Sequence, residues 1–542
     1  MKKIIITILA ATSFLVSCSD AYEIEQPGFV TDETIVFSNP ADVKRGVGAL
    51  YAVIPAEAEV QFTSFYTDEL GIGLNNLGQG TNDGSYQFNL ISSNEYATAI
   101  WGNYFNLINR ANRIINRIEQ LLPTATPEDK LEYNASLAEL YGLRAFAHYK
   151  LFAYFTPDYT DPNGLAIIKF NFLQTDDYGR FEKRSTVSEI VNFIQSDVDK
   201  AKELGGITNG ASSGYASNAM LESILIKMYS MTQTADGYTK LEEAFDRLVE
   251  EGKAIGSADE YLTMNFEGSG DGQESIFRYL RISTDGAGVQ SGVASAWYPA
   301  AVDWTSQAYM EIGRSLYNEL DKLDPSQTGK QLNDFYIDNN KEEQIDTTYF
   351  RYDARYTANV LNGSKVAPNY ASLSPDEYKE QDVLRIGRYQ GITNRPLMND
   401  IWIFRFTDML LALAEKRAFE NKPTGTVALG DFSNVESIIY NIRAYRNINA
   451  TNVPLSMPTD FSSSKAAYAR ILEERRLEFA FEGHRYLDMK RLGVKAGSPG
   501  FVRHEKDCLN VCSLDPTSYK LTLPIPRPEM VSNPNMIQNP GY

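Results

Sequence analysis

The chain has 542 residues, 43% of them hydrophobic, enough to bury a large core in one domain or two merged ones. Its 70 acidic residues outnumber 51 basic ones, and the formal charge of −19 argues against binding to nucleic acid or to anionic lipid surfaces. With three histidines and three cysteines in all, the composition also argues against a zinc cluster or a histidine-based catalytic triad.

Lys2 and Lys3 precede an almost wholly apolar run from Ile4 to Leu15, and Leu15-Val16-Ser17-Cys18 closes the segment. That is the three-part design of a secretory signal, with a cysteine at the cut in place of an A-x-A pair. It looks like a bacterial lipobox, after which Cys18 becomes the acylated first residue. An ordinary signal peptide with a chance cysteine is the bland alternative. The apolar run is too short to span a bilayer, which takes about 20 residues. Residues 1–17 hold two lysines and no acid, so their removal moves the formal charge from −19 to −21. Residues 18–38, polar and acidic, read as a lipidated tether.

The body starts at residue 39. A short helix is expected over 40–54, with Asn39 or Asp42 as N-cap. Ile100, Trp101, Tyr104, Phe105, Ile108, Ala111, Ile115 and Ile118 recur at steps of three and four, which predicts a long helix over 96–122 ended by Pro123. Pro127-Glu128-Asp129 opens a second one that runs to Phe155. Further helices are expected over 186–204, 214–232 and 239–255. Paired helices of this length joined by short turns suggest a tetratricopeptide-like scaffold over 39–260, although no clean 34-residue repeat is visible. Trp101, in register with its helical neighbours, reads as core.

Residues 261–400 change character, being rich in Gly, Ser, Asn, Asp and Tyr with short β-like pieces. Long loops on a rigid scaffold are where binding residues gather. Helices return at 401–421, 433–447 and 465–491, so 401–542 reads as C-terminal helices and an extended strap merged with the scaffold. The fold class is thus mainly α, with a loop-rich, partly β insertion as the ligand face.

Three C-terminal segments stand out. Ile403 to Glu415 is apolar nearly all round and should be buried, so Arg405, Asp408 and Glu415 must find partners there. In Ile471 to Asp488, helical spacing aligns Glu474, Arg475, Glu478, Glu482 and Arg485, with i,i+3 and i,i+4 pairs of opposite charge. A glycosidase needs two carboxyl groups about 5–10 Å apart. These acids alternate with arginines, which lower a carboxyl pKa, whereas a general acid needs the opposite shift. The stripe reads as an ion network of the scaffold. Leu523-Pro524-Ile525-Pro526, Glu529-Met530 and Asn533 to Tyr542 exclude helix and read as an extended strap.

Together these segments resemble the SusD/RagB family of outer-membrane nutrient-binding lipoproteins of Bacteroidetes. Asn109-Arg110-Ala111-Asn112, Ala138 to Phe146 and Asn441 to Arg446 fit the same resemblance, which spans the mature chain. One departure is Pro157-Asp158-Tyr159-Thr160-Asp161-Pro162, where the family usually has a Gly-Asp/Glu-x-Pro-Leu-like turn. The resemblance implies a lipid-anchored protein at the cell surface that binds an oligosaccharide or polysaccharide and acts as the lid of a TonB-dependent barrel transporter. An oligopeptide-binding lid and a helical-repeat interaction scaffold remain as alternatives. No catalytic residue, cofactor or metal site is assigned, and no enzyme activity is expected.

Two stretches supply candidate ligand residues. Trp297, Tyr298, Asp303 and Trp304 lie in a segment without helical periodicity that holds half of the chain's four tryptophans. Indole faces suit sugar rings and a carboxylate suits hydroxyls, yet the same residues could simply plug a loop onto the body. In the loop 62–90, Tyr66, Asp68, Asn75, Asn76 and Tyr86 interleave aromatics with polar groups. Gly71-Ile72-Gly73 lacks the surroundings of a phosphate loop and reads as a turn. Cys508 and Cys512 could form a local disulfide.

Overall fold

The computed structural model describes residues 36–542 except 79, 83, 174–179, 208–211, 267–269, 282–292, 298–307, 325–350, 362–363, 390, 393–394, 397 and 449–454. The signal segment, Cys18 and the tether to residue 35 lie outside the described residues. Among the described residues, no helix is long and apolar enough to cross a membrane.

The scaffold is mainly α. It begins with α1 (Pro40–Tyr51), α2 (Ala56–Tyr66) and a three-residue strand β1 (Leu70–Ile72). The long helices α3 (Glu95–Leu121) and α4 (Pro127–Phe155) follow, then α5 (Val187–Glu203), α6 (Asn218–Thr232) and α7 (Ala235–Glu250). Their starts are set by side chains that take the free N–H groups of a first turn. Asn39 accepts from the Asp42 N–H, Thr126 from Asp129, and Thr186 forms a reciprocal capping box with Glu189. Successive helices pack against each other: α3 on α4, α4 on α5, α6 on α7. Trp101 is buried in this interior, edge-on to Phe155.

The middle holds α8 (Ala258–Phe266), β2 (Ser275–Tyr279), β3 (Met310–Ile312), α9 (Arg314–Asp321), α10 (Ala354–Asn359) and α11 (Pro375–Gln381). A two-residue pair, β4 (Gly391–Ile392) and β5 (Arg395–Pro396), precedes β6 (Ile401–Arg405). The C-terminal part comprises α12 (Phe406–Phe419), α13 (Val435–Arg446), α14 (Ser464–Glu478) and α15 (Arg485–Ala496). It ends with β7 (Phe501–Val502), β8 (Ser513–Leu514) and α16 (Arg527–Ser532). One hydrophobic core runs from Val43 to Met536 through helices of both halves.

Four expectations need correction. Residues 401–405 are not helical: Ile401 to Arg405 pair antiparallel with Ser275–Tyr279, and the helix starts only at Phe406. The helix expected over 465–491 is two helices. Phe481 (φ 62°) and Gly483 (φ 84°) are left-handed, a conformation that ends helices, and α15 leaves at a new angle of the chain. Gly71 and Ile72 form strand β1, not a turn, paired with β3 as Gly71 to Glu311. Within the strap, Arg527–Ser532 makes one short helix, with a proline in its first turn where the missing N–H costs nothing. Cys508 and Cys512 are disulfide-bonded in the β7–β8 hairpin.

Candidate functional site

Among the described residues, no ion pair forms between neighbours within the Glu474–Arg485 stripe; the partners come from other elements. Arg405, at the end of β6, reaches Glu274 (2.6 Å), Glu478 (2.9 Å) and Glu482 (2.9 Å). Arg446 of α13 binds the same Glu274 and Glu478, each at 2.7 Å. Glu474 is held by Arg355 (2.5 Å) and Arg443 (2.7 Å), and Asp408 by Lys227 (2.7 Å) and Arg475 (2.6 Å). Glu415 pairs with Arg491 at 2.6 Å. Burial pushes the Glu478 carboxyl up, but Arg446, Arg405 and Arg355 prevail and hold it at about 2. Asp488, with Arg475 and Arg491 beside it, is likewise held at about 2. Acids fixed in the ionised state cannot donate a proton to a leaving group. This is a buried electrostatic frame that ties β6, α12, α13, α14 and α15 together.

Strands β1 and β3 join the N-terminal segment to the middle region, which brings both sequence-derived stretches together. Their candidate residues, however, are mostly turned inward. Tyr66 is the last residue of α2 and not a loop residue; it is fully buried against Phe62, Phe88 and Tyr486. Tyr86 is also buried, donates to the Leu70 carbonyl at 3.0 Å, and lies under the Arg503 guanidinium. Asn76 uses its amide locally, accepting from Gly78 and Thr81 and donating to the Tyr309 carbonyl. Asn75 is half-buried and its N–H donates to Ala308. Trp297 is completely enclosed, between Tyr389 and Phe481, with no face open to a ligand. Tyr298, Asp303 and Trp304 lie outside the described residues.

Asp68 lines a cavity. The cavity measures about 730 Å³ and opens between α9 on one side and α14, α15 and the Gly497–Gly500 turn on the other. Its lining mixes charged side chains with apolar surface, and its charges are matched. Asp68 is bound by Arg485 (2.9 Å) and Arg476 (3.2 Å); burial raises its pKa, but these two guanidinium groups hold it well below the usual range. Glu473 pairs with Arg470 at 2.7 Å, Glu319 with Lys322 at 2.7 Å, and Asp321 with Arg351 at 2.7 Å. Arg476 also donates to the Ser315 hydroxyl at 2.9 Å. Tyr370 supplies an aromatic wall. Its ring is covered on one face by Arg314 at 3.7 Å, and its hydroxyl accepts from Asn318 at 3.3 Å.

The sequence reading missed Asn318, Tyr370, Arg470, Glu473 and Arg476. A signal was present for three of them. Arg470, Glu473 and Arg476 recur every third residue, on the side of α14 away from Glu474 and Glu478.

Behind the cavity a second set of acids behaves differently. Glu69 accepts the Phe481 N–H (2.9 Å), Glu311 the Leu384 N–H (3.0 Å), and Asp507 the Arg314 N–H (2.6 Å) and Tyr378 hydroxyl (2.8 Å). Burial dominates there and pushes these carboxyls up to about 7, 8 and 6 respectively. They are enclosed and do not line the cavity. Among the described residues, no group of three or more His, Cys, Asp or Glu side chains is placed to hold a metal ion.

Comparison with known proteins agrees with this architecture. The SusD family model matches residues 273–542, and a model described as "Starch-binding associating with outer membrane" matches residues 29–207. Two SusD-like proteins of Formosa agariphila are 23% and 24% identical over 572 and 571 residues, covering 100% of this chain and 99% and 100% of their own lengths. A crystal structure of a SusD superfamily protein from Bacteroides thetaiotaomicron superposes with a TM-score of 0.68 at 19% identity, covering 93% of this chain and 100% of that one. Bacteroides fragilis NanU gives 0.64 at 18% identity, covering 95% and 99%. The last two likenesses are of fold.

Proposed function

Because the chain belongs to the SusD/RagB family, we propose that it binds an oligosaccharide or polysaccharide nutrient at the outer membrane and delivers it, as a lid, to a TonB-dependent transporter. The observation that carries this reading is the open cavity with matched charges and an aromatic wall, set on a helical frame in a chain of that family. Sugars offer hydroxyl groups that both donate and accept, and apolar ring faces that stack; the cavity has matching elements of both kinds. The starch-binding description of the N-terminal family model supports a glycan over a peptide. Capture without turnover fits the acids: those in the cavity wall are ion-paired, and those with raised pKa are sealed from it. Cys18 would carry the lipid that holds the protein at the cell surface.

The test is calorimetry and native-gel retardation of the full chain in detergent, against starch, other polysaccharides and mixed oligopeptides, with chromatography of the polymer afterwards. Retardation by one glycan class with the polymer unshortened is the expected result. Heat with peptides alone would move the protein to peptide uptake, and shortening of any polymer would make it an enzyme. Retention of a barrel partner with no nutrient bound would leave only a scaffold. Cys18→Ser should release the protein from the membrane fraction.

A further inference from the structure

The cavity between α9 and the α14–α15 pair is electrically closed. Among the described residues of its lining, every carboxylate is already met by a guanidinium or ammonium group at 3.2 Å or less. Arg314, behind Tyr370, is itself matched by Asp382 at 2.8 Å. A uronate or sulfate entering here would meet no surplus cation, and it would have to compete with a fixed carboxylate for every guanidinium. A cationic ligand faces the mirror-image problem. The charges therefore act as oriented donors and acceptors without a net field.

Vicinal hydroxyls suit such a wall because each can donate to a carboxylate while accepting from a guanidinium. Tyr370 adds a pre-set platform. Arg314 on one face, the Asn318 amide on its hydroxyl and His504 edge-on at 5.3 Å fix the ring, which stays half-buried at the cavity. The cavity volume of about 730 Å³ lies within the roughly 300–1,000 Å³ usual for small-molecule sites.

The geometry points to a subsite for a short run of uncharged sugar units, with Tyr370 as stacking platform and Arg470, Glu473, Arg476 and Asn318 as hydroxyl partners. This assignment rests on the glycan-capture reading above and names the ligand class of that site.

Titration calorimetry of the full chain in detergent tests it, with maltoheptaose, xylohexaose and laminarihexaose as neutral probes and hexagalacturonate and a guluronate hexamer as anionic ones. A neutral probe should bind with an affinity that changes less than about twofold between low and high salt, because it carries no charge whose attraction to the site salt could screen. Tyr370→Ala should weaken it about five- to tenfold, the size of a lost aromatic face. Arg470→Gln, which removes a half-exposed group and leaves the fold intact, should weaken it about threefold. A neutral glycan bound equally well by wild type and both variants would overturn the subsite while leaving glycan capture standing. Binding of an anionic probe that collapses with salt would overturn the ligand class. Silence toward all probes would remove glycan capture itself and the subsite with it.

Discussion

The acids of the ion-pair frame and those behind the β1–β3 pair are equally deep, yet their pKa values are displaced in opposite directions. Glu478 and Asp488 have several guanidinium neighbours each and stay ionised far below neutral pH. Glu69, Glu311 and Asp507 have chiefly single N–H or O–H donors, too little to offset burial, and their pKa values move up toward neutrality. Depth alone does not set the charge of a buried carboxyl; the number of cations within contact does. Glu478 locks β6, α13 and α14 together, and Asp488 ties α15 to α14. The second sits where the N-terminal segment meets the middle region, and one oxygen of both Glu69 and Glu311 lacks any hydrogen-bond partner.

The largest test of this contrast removes a shared acid. Glu478→Ala would leave Arg405 and Arg446 short of a partner in the interior, and breaking such a pair costs about 3–5 kcal/mol. Urea unfolding should show that loss in full; a change below about 1 kcal/mol would mean water or Glu274 can replace the carboxylate, and the frame would not be a frame.

Trp297→Ala comes next. The side chain is fully enclosed and packs on Phe481, whose N–H binds Glu69. Emptying that space should cost about 3–5 kcal/mol and lower the melting temperature clearly. Water admitted beside Phe481 should also bring the Glu69 pKa down. An unchanged melting temperature would instead make Trp297 a free platform.

Glu311→Gln sharpens the comparison through pH. Its folded-state pKa, about 8, lies above the unfolded value, so its contribution is complete below about pH 4.5 and is lost as pH rises through about 8. Glutamine mimics the protonated acid and keeps an acceptor for the Leu384 N–H. The variant should match wild type near pH 5 and exceed it by roughly 1–2 kcal/mol at pH 8. The opposite trend governs Glu478 and Asp488, whose contributions vanish as pH falls through about 2. Equal stabilities of the variant and wild type across pH 5–8 would show that Glu311 is ionised in the fold.

These sites also show how far sequence carries. The scaffold helices were legible because their information is local: Asn39, Thr126 and Thr186 cap them, and the apolar step of three and four fills one face. Ile401 to Arg405 was misread because a fully buried strand and a buried helix share the same apolar run, and only pairing with Ser275–Tyr279, far away in the chain, decides between them. The stripe 474–485 gave the right residues and the wrong partners, since its charges pair with Arg355, Arg405, Arg443, Arg446 and Asp68, which lie far away in the chain. At the candidate site, Tyr66, Tyr86 and Asn76 were named for their chemistry, but tertiary packing turned that chemistry inward. Tyr370 had no periodic neighbours to announce it.

The smallest expected effect closes the contrast from the cavity side. Arg470 and Glu473 form an ion pair as short as those of the frame, at 2.7 Å, but each side chain is about 30% exposed (30% and 31%). Water already solvates both, so the pair adds little to folding, about 0–1 kcal/mol. Arg470→Gln should therefore shift the melting temperature by no more than about 2 °C, within the range such a loss gives in a large domain. Glu473, raised by burial and lowered chiefly by Arg470, should titrate higher in the variant. That separation makes the pair a usable probe: a ligand effect of Arg470→Gln cannot be charged to lost stability. A drop comparable to that of Glu478→Ala would place Arg470 in the frame instead of in the cavity wall, because an ion pair holds a fold together only where water is kept away from it.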